Sequence, residues 1–298
     1  MPSWQDFQPF IVTGLSLGGV YALSGVGMVV LYRATGVLNL AFGAIGAMGA
    51  LIAWQLNTKS GVNEWLSYLV CIVFAGVITL TYGMVFGPAL ARREPLVKAT
   101  ATLGLTLILL GIMSLLWTSS GGQSRSIVLP TDNNTFMVSS VQVEWTNVIA
   151  LALGLVITVG TAAFLRYTKL GTAMRAMAND REITATLGVP VRRVEAAAWL
   201  GCGVLSGIAG LLLADLVALD ATTLTFLVIS SLAAALIAGL RSIAITFVAA
   251  IVVGLVTALI TPIQSVSDYR NMTPFVLAAA ALLLLNRRRV ISFSREGA

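Results

Sequence analysis

The chain has 298 residues, of which 58% are hydrophobic and only 10% are charged, and its mean hydropathy is +0.94. Soluble globular domains carry about 25% charged residues, so this composition excludes an ordinary soluble protein. Several uncharged apolar runs reach the roughly 20 residues that a helix needs to cross a bilayer, and the chain shows little of the alternation typical of a barrel. We therefore predict an all-α, polytopic transmembrane helical bundle that forms a single domain over residues 1–298.

In chain order, the apolar runs predict nine membrane spans, or eight if a glycine-rich or short segment does not cross. The predicted spans cover residues 10–32, 35–56, 66–90, 99–118, 146–165, 194–214, 224–240, 243–262 and 273–286. A long polar stretch, Ser119–Trp145, separates the fourth and fifth predicted spans and carries few basic residues. It is either a solvated connector or a surface for an external partner.

The distribution of basic residues predicts the orientation of these spans. If the N-terminus is external and the spans alternate, fifteen of the 18 Lys and Arg residues lie inside, and Lys59, Arg125 and Arg270 lie outside. Cytoplasmic loops of membrane proteins carry an excess of Lys and Arg. The sequence therefore predicts an external N-terminus and an internal C-terminus, and the net charge of +6 reflects this sorting rather than nucleic-acid binding.

Side chains that carry most catalytic and metal chemistry are absent from the apolar runs. The chain has no histidine, and Cys71 and Cys202 lie in separate runs, so we predict no catalytic residue, metal site or cofactor. No Asp or Glu lies centrally in a run, which argues against an ion-coupled transporter. The phosphate-binding pattern G-x-x-x-x-G-K-[ST] is also missing. Energy for uphill transport would have to come from another chain.

Glycines recur at helical spacing in three runs, which predicts close contacts between helices. They are Gly14 and Gly18 in the first run, Gly36, Gly43, Gly46 and Gly49 in the second, and Gly203, Gly207 and Gly210 in the sixth.

Three polar residues in the runs are candidates for a translocation pathway. Asn39 lies beside the glycines of the second run, and a polar amide at membrane depth needs a partner or a water-filled cavity. A broken helix that lines a pathway is one interpretation. Thr102 and Thr106 lie one turn apart in the fourth run, and their hydroxyls either bond carbonyls of their own helix or face a polar ligand.

One long polar stretch, Arg166 to Arg193, carries six of the 18 basic residues. We expect two short helices in it, the first capped by Thr172 and the second by Asp180, with Gly188 and Pro190 ending the second. Apolar residues between the charges would give adaptable contacts to a groove on a soluble partner: Met174, Met177, Ile183 and Leu187. An amphipathic segment on the anionic inner leaflet is the alternative, and composition leaves both open.

The register of this stretch follows the pattern L-G-x-A-x-R-A-x-A-x-D-x-E-A-A-x-x-x-G-(I/V). The matching residues are Leu170, Gly171, Ala173, Arg175, Ala176, Ala178, Asp180, Glu182, Gly188 and Val189. In this the chain resembles the H-type permease subunits of ABC importers for branched-chain amino acids. Ile183 and Thr184 depart from the two alanines of the pattern, but the spacing between Glu182 and Gly188 is kept.

The N-terminal region carries the same resemblance. Two patterns of the family recur here. Its G-L-x-x-G-x-x-Y-A-L pattern matches Gly14, Leu15, Gly18, Tyr21, Ala22 and Leu23, and its N-F-A-H-G pattern matches Asn39, Ala41 and Gly43. Leu40 and Phe42 replace the usual phenylalanine and histidine, which leaves the substrate open.

The resemblance implies half of the translocation pathway of an importer, in a multi-pass permease of the bacterial inner (plasma) membrane that is not itself an enzyme. The implied partners are a second homologous permease subunit, two cytoplasmic ATP-binding subunits that hold the ATPase activity, and an extracytoplasmic solute-binding protein. The implied solute is a branched-chain or related amino acid, with urea, short amides or aromatic acids as alternatives. A stand-alone secondary transporter or facilitator is the alternative function.

The resemblance also implies roles for particular residues. The stretch 166–193 would be a cytoplasmic coupling loop, and its ATPase-coupling residues would be Arg175, Asp180, Glu182 and Gly188. The pathway residues would be Asn39, Thr102 and Thr106.

Overall fold

The computed structural model describes residues 4–91, 93–117, 125, 127, 129, 135–138, 141–217, 219–263 and 267–293. Its helices are α1 (Trp4–Thr35), α2 (Phe42–Ser60), α3 (Glu64–Leu90), α4 (Pro95–Leu116), α5 (Trp145–Tyr167), α6 (Lys169–Asn179), α7 (Arg181–Thr186), α8 (Val191–Leu216), α9 (Ala221–Phe226), α10 (Val228–Ile237), α11 (Ile243–Ile260) and α12 (Thr273–Phe293). A 3₁₀ helix covers Ser267–Met272, and two strands are present, β1 (Thr135–Val138) and β2 (Val141–Glu144).

The structure confirms a helical, polytopic membrane protein. Each predicted apolar run overlaps at least one helix, and six helices, α1, α3, α4, α5, α8 and α11, are long and apolar enough to cross a membrane. The other runs correspond to α2, to the interrupted pair α9 and α10, and to α12, whose apolar part is shorter. The total of eight to nine spans therefore stays a prediction.

A two-stranded antiparallel hairpin departs from the predicted all-α class. It pairs Thr135 with Glu144 and Phe136 with Val143. Its β-branched and aromatic residues favour extended backbone, and the Phe136 ring lies 5.2 Å from that of Trp145, between centroids. The hairpin lies in the polar stretch between α4 and α5, much of which is outside the described residues, so the membrane bundle itself remains helical.

Helix α1 is the centre of the bundle. It packs against α11, α5, α8 and α10, and residues 20–29 are buried without interruption. Helices α4 and α5 lie at the periphery and expose large apolar side chains such as Leu107 and Val156. Exposed apolar surface of this extent is what lipid covers in a membrane protein.

Glycines bring the central helices together, as the spacing predicts. Gly14 and Gly18 of α1 face Gly254 of α11, where an added Cβ would lie 2.5 Å from the Gly14 carbonyl oxygen. Gly210 of α8 faces Gly46 of α2, and an added Cβ would lie 2.5 Å from the Gly46 carbonyl carbon. Because the obstructing atoms belong to backbone, a side chain at these positions would push the helices apart.

Gly36 has a different role from the predicted packing contact. It has a φ of +67°, a conformation that glycine adopts at little cost, and its N–H donates to the Tyr32 carbonyl at 2.7 Å. Gly36 therefore ends α1 and starts the non-helical segment 36–41, which contains Asn39 and connects α1 to α2.

Candidate functional site

The polar stretch folds into two capped helices, α6 and α7. The Thr168 hydroxyl accepts from the Gly171 N–H at 3.0 Å and caps α6, and the Asp180 carboxylate accepts from the Ile183 N–H at 2.9 Å and caps α7. The cap at Asp180 is as predicted, whereas Thr172 as the first cap is wrong. Thr172 already lies inside α6, where its hydroxyl donates to the Thr168 carbonyl, because α5 ends one residue before Thr168 and α6 starts one residue after it.

The apolar residues of this pair divide into two groups. Met174 and Met177 are buried against the bundle, where they join the main core cluster. Ile183 and Leu187 are 59% and 77% exposed. Of the four apolar residues predicted to contact a partner, the methionines thus hold α6 to its own protein, and Ile183 and Leu187 present the free apolar surface.

The four predicted coupling residues occupy different environments. Glu182 is exposed in the first turn of α7, and Asp180 is the cap of that helix. Gly188 follows α7 with a φ of +83°, which turns the chain toward α8. Arg175 is half-buried and turns back to the bundle, where its Nη2 donates to the Arg166 carbonyl at 3.4 Å. Their coupling role stays a prediction.

An ion pair joins this element to the next helix. The Arg181 guanidinium contacts the Glu195 carboxylate with Nη2 2.9 Å from Oε1, and Nε also donates to Oε1 at 2.9 Å. Sequence reasoning did not single out Glu195, which lies near the start of the sixth predicted run. The ion pair therefore links α7 to α8 across the turn between them.

Six cationic side chains surround two adjacent cavities at this end of the bundle, which we call the basic groove. The larger cavity has a volume of about 820 Å³ and the smaller one about 310 Å³, and Arg33 and Arg241 line both. The six are Arg33, Lys98, Arg166, Arg175, Arg181 and Arg241. They come from the end of α1, the start of α4, the end of α5, both short helices and the turn before α11.

The predicted pathway residues meet at the break between α1 and α2. The Thr102 hydroxyl accepts from the Leu40 N–H at 3.1 Å. Its one hydrogen has two acceptors in reach, the Leu38 carbonyl and the Ala99 carbonyl of its own helix, each 2.9 Å from the hydroxyl oxygen. Asn39 is buried, accepts from the Ala41 N–H at 3.1 Å and directs its amide nitrogen to the Cys202 sulfur at 3.6 Å. Thr102 therefore holds the broken segment with the hydrogen bonds that a continuous helix would have made internally.

Thr106 and the cysteines are internal. The Thr106 hydroxyl donates to the Thr102 carbonyl at 3.1 Å, one turn away in the same helix. Cys71 and Cys202 are both buried and unpaired. The alternatives for Thr102 and Thr106 thus resolve to hydrogen bonds within the protein, and their role in a pathway stays a prediction.

Sequence reasoning missed a largely apolar cavity of about 480 Å³ that none of the predicted pathway residues lines. It lies between α1, α9, α10 and α11, and Arg270 and Phe275 close one side. Its polar groups include the hydroxyls of Tyr21, Ser230 and Thr257. The hydroxyl residues of α9 and α10 were a signal in the sequence, but only the fold brings them against α1.

Asp220 begins the helix that lines this cavity. Its carboxylate accepts from the hydroxyls of Thr222 and Thr223 and from the Thr223 N–H, at 2.6–2.8 Å. Partial burial by itself raises the pKa of Asp220, but these hydrogen bonds outweigh it and hold the pKa below its ordinary value. The charged carboxylate therefore stays in place as the cap of α9.

A bundle of apolar helices with a capped polar helix pair at its basic end defines a multi-pass membrane protein. Residues 10–285 match the protein family described as the permease component of branched-chain amino acid transport systems. The chain belongs to this family. It is a permease subunit that works with other transport subunits, and not a catalytic enzyme.

Relatives with the same description align over most of the chain. The probable branched-chain amino acid transport permease protein LivH of Methanocaldococcus jannaschii is 27% identical over 80% of this chain and 76% of its own length. The high-affinity permease protein LivH of Escherichia coli K12 is 25% identical over 91% of both chains. The permease protein BraD of Pseudomonas aeruginosa is 23% identical over 95% of both. These similarities confirm the resemblance seen in the sequence.

Proposed function

We propose that the chain forms half of the translocation pathway of an ATP-binding-cassette importer. It would pair with a second homologous permease subunit, two cytoplasmic ATP-binding subunits and an extracytoplasmic solute-binding protein. Family membership supports this arrangement, and so does the missing phosphate-binding pattern. The solute would be a branched-chain or related amino acid, as the names of the relatives suggest.

The observation that carries the proposal is the division of the α6–α7 pair into an anchored face and a free face. Met174 and Met177 are buried in the bundle, and Ile183 and Leu187 are exposed beside the charge of Glu182. Two exposed apolar side chains flanked by a carboxylate suit a groove on a soluble subunit. Motion of that subunit would reach the bundle through the buried methionines.

The four predicted coupling residues would then have different roles. Glu182 would contact the ATP-binding subunit directly. Asp180 and Gly188 would set the orientation of α7 as its cap and its terminating turn, and Arg175 would hold α6 to the end of α5 through the Arg166 carbonyl.

For the pathway, we propose that the broken segment 36–41 is the part of the bundle that rearranges. Thr102 bonds this segment at Leu38 and Leu40, and Asn39 and Thr106 complete the buried polar chain. The cavity that Tyr21 and Ser230 line would receive the solute from the end of the bundle opposite the basic groove. Broken helices of this kind are common at transporter sites.

We further propose that the basic groove and the stretch 166–193 are cytoplasmic, with an external N-terminus, an internal C-terminus and eight to nine spans in the inner membrane. Arg33, Lys98 and Arg241 gather at the end of the bundle where α6 and α7 lie. An excess of Arg and Lys marks the cytoplasmic side.

The test is coexpression of the chain with the ATP-binding subunits from its own cell. We expect Leu187→Asp together with Glu182→Lys to weaken copurification of the ATP-binding subunits by about 30-fold, since interface anchors contribute about 2 kcal/mol. Solute uptake in proteoliposomes should fall with it. Met137→Asp provides the matched control because Met137 is 68% exposed and lies in the hairpin.

Two results would contradict the proposal. One is normal copurification and uptake by the Leu187 and Glu182 variant. The other is uptake by the chain alone, driven by an ion gradient without ATP, which would favour a stand-alone secondary transporter.

A further inference from the structure

The positive charge of the basic groove is largely uncompensated. Among the described residues, Glu195 pairs with Arg181, and the other five cations of the groove form no salt bridge. Lys98 is only 9% exposed. The Nε atom of Arg175 is buried and has no hydrogen-bond partner among the described residues. Four of the six cations are at least partly buried, and only Arg166 and Arg241 are exposed. Partly buried cations that line one cavity are costly unless an anion balances them. The groove therefore favours a negatively charged ligand.

The backbone adds to this preference. Arg241 and Ser242 immediately precede α11, an 18-residue helix whose first residues line the smaller cavity. The N-terminus of a helix directs backbone N–H groups and the positive end of the helix dipole toward an anion. Guanidinium groups make paired hydrogen bonds to phosphate oxygens. Arginine side chains and a helix N-terminus together suit an oxyanion such as a phosphate group.

Two apolar stripes lead away from the arginines along neighbouring helices. On α5, Arg166 is followed toward the middle of the helix by Ala162, Val159 and Leu155, and on α11 the turn at Arg241 is followed by Ala244, Val248 and Val252. All six apolar residues are exposed. Steps of three or four residues keep each stripe on one face of its helix. The helices α5 and α11 contact each other, and the first residue of each stripe, Ala162 and Ala244, lines the smaller cavity.

We propose that the basic groove binds the phosphate headgroup of an anionic phospholipid whose acyl chains lie along these two stripes. The bound lipid braces α6 against α1 and α11, because the guanidinium of Arg175 and those of Arg33 and Arg241 line the same cavity. This inference goes beyond the importer proposal and does not depend on it, since it requires only the chain and the lipid.

The test uses the purified full chain in detergent, titrated with dioctanoyl phosphatidylglycerol and, separately, with dioctanoyl phosphatidylcholine, with the thermal midpoint as the readout. We expect saturable stabilisation by phosphatidylglycerol alone. Each basic side chain near an anionic headgroup contributes roughly fivefold in affinity, so Arg33→Gln with Arg241→Gln should weaken binding about 25-fold. Arg33→Lys with Arg241→Lys keeps the charge but loses the paired hydrogen bonds of the guanidinium groups, so its affinity should lie between those of the unmodified chain and the glutamine pair.

Two further variants keep the test decisive if the glutamine pair does not fold. Arg166→Gln changes one exposed cation of the groove and should cost roughly fivefold. Arg192→Gln with Arg193→Gln is the matched control, because it removes the same charge as the glutamine pair from exposed positions at the start of α8 outside both cavities. We expect the control to bind phosphatidylglycerol like the unmodified chain.

Several outcomes would overturn the proposal. They are unchanged affinity in the groove variants, an equal loss in the Arg192 and Arg193 control, and equal binding of phosphatidylcholine. A further titration uses inorganic phosphate without lipid, with the same thermal midpoint as the readout. If phosphate alone produces the stabilisation that depends on Arg33 and Arg241, the groove is a site for soluble phosphate and the lipid proposal fails.

Discussion

Substitution of Gly210 by alanine tests whether the contact between α8 and α2 sets the stability of the bundle. The new methyl group would lie 2.5 Å from the Gly46 carbonyl carbon and 2.7 Å from its Cα, whereas ordinary contacts begin at 3.4 Å. The helices would have to separate by about 1 Å, and overpacking of this kind costs about 1–3 kcal/mol. Alanine returns up to about 1 kcal/mol through its helix propensity. We expect a net loss of about 1–2 kcal/mol.

Gly201 in the same helix is the matched control. A Cβ at Gly201 would meet no atom within 4 Å, so Gly201→Ala should keep or raise stability through the same propensity term. The assay is the midpoint of thermal unfolding of the purified chain in one detergent at a fixed scan rate, because irreversible unfolding makes the midpoint rate-dependent. The Gly210 variant should unfold several degrees lower. Equal midpoints for the two variants would refute the packing argument.

Two other predictions address the broken segment and the orientation of the chain. Thr102→Val removes a partner of the part-buried Leu38 carbonyl and Leu40 N–H and should cost about 1–2 kcal/mol, measured as a lower thermal midpoint. Thr106→Val, which loses a bond within its own helix, should cost less, and an equal loss would contradict the role of Thr102. Leu187→Cys and Met137→Cys, both at exposed positions, should react with a membrane-impermeant maleimide from opposite sides, against little background from the buried native cysteines. Labelling from the same side would exclude the proposed topology.

Much of the helical architecture could be predicted because its causes are local. Apolar runs long enough to cross a bilayer predicted helices at the right places, and small residues at helical spacing predicted the contact faces of α1 and α8. The cap at Asp180 and the end of α7 near Gly188 also followed from residues within one turn of each other. A broken helix beside Asn39 was one interpretation of the polar amide at membrane depth, and the structure has non-helical backbone there, between α1 and α2.

Other features depended on contacts between distant parts of the chain. Thr168 rather than Thr172 caps α6, because the end of α5 sets where α6 begins. Met174 and Met177 were expected to face a partner but are buried, since a sequence pattern shows that a helix has an apolar face and not what covers it. The hairpin was missed because two four-residue strands give a weak signal beside long apolar runs.

By itself, the sequence determined that the protein is a helical membrane protein and a member of its permease family, because hydropathy, glycine spacing and motif register are all properties of short segments. Only the tertiary structure decided which residues meet. Thr102 reaches the backbone of Leu38 and Leu40. Cations from five helices and one turn gather into one groove, where Glu195 is the one salt-bridge partner among the described residues. The positive-inside distribution assigns charges to a side of the membrane, but the packing of α1, α6 and α11 determines which charges face one another.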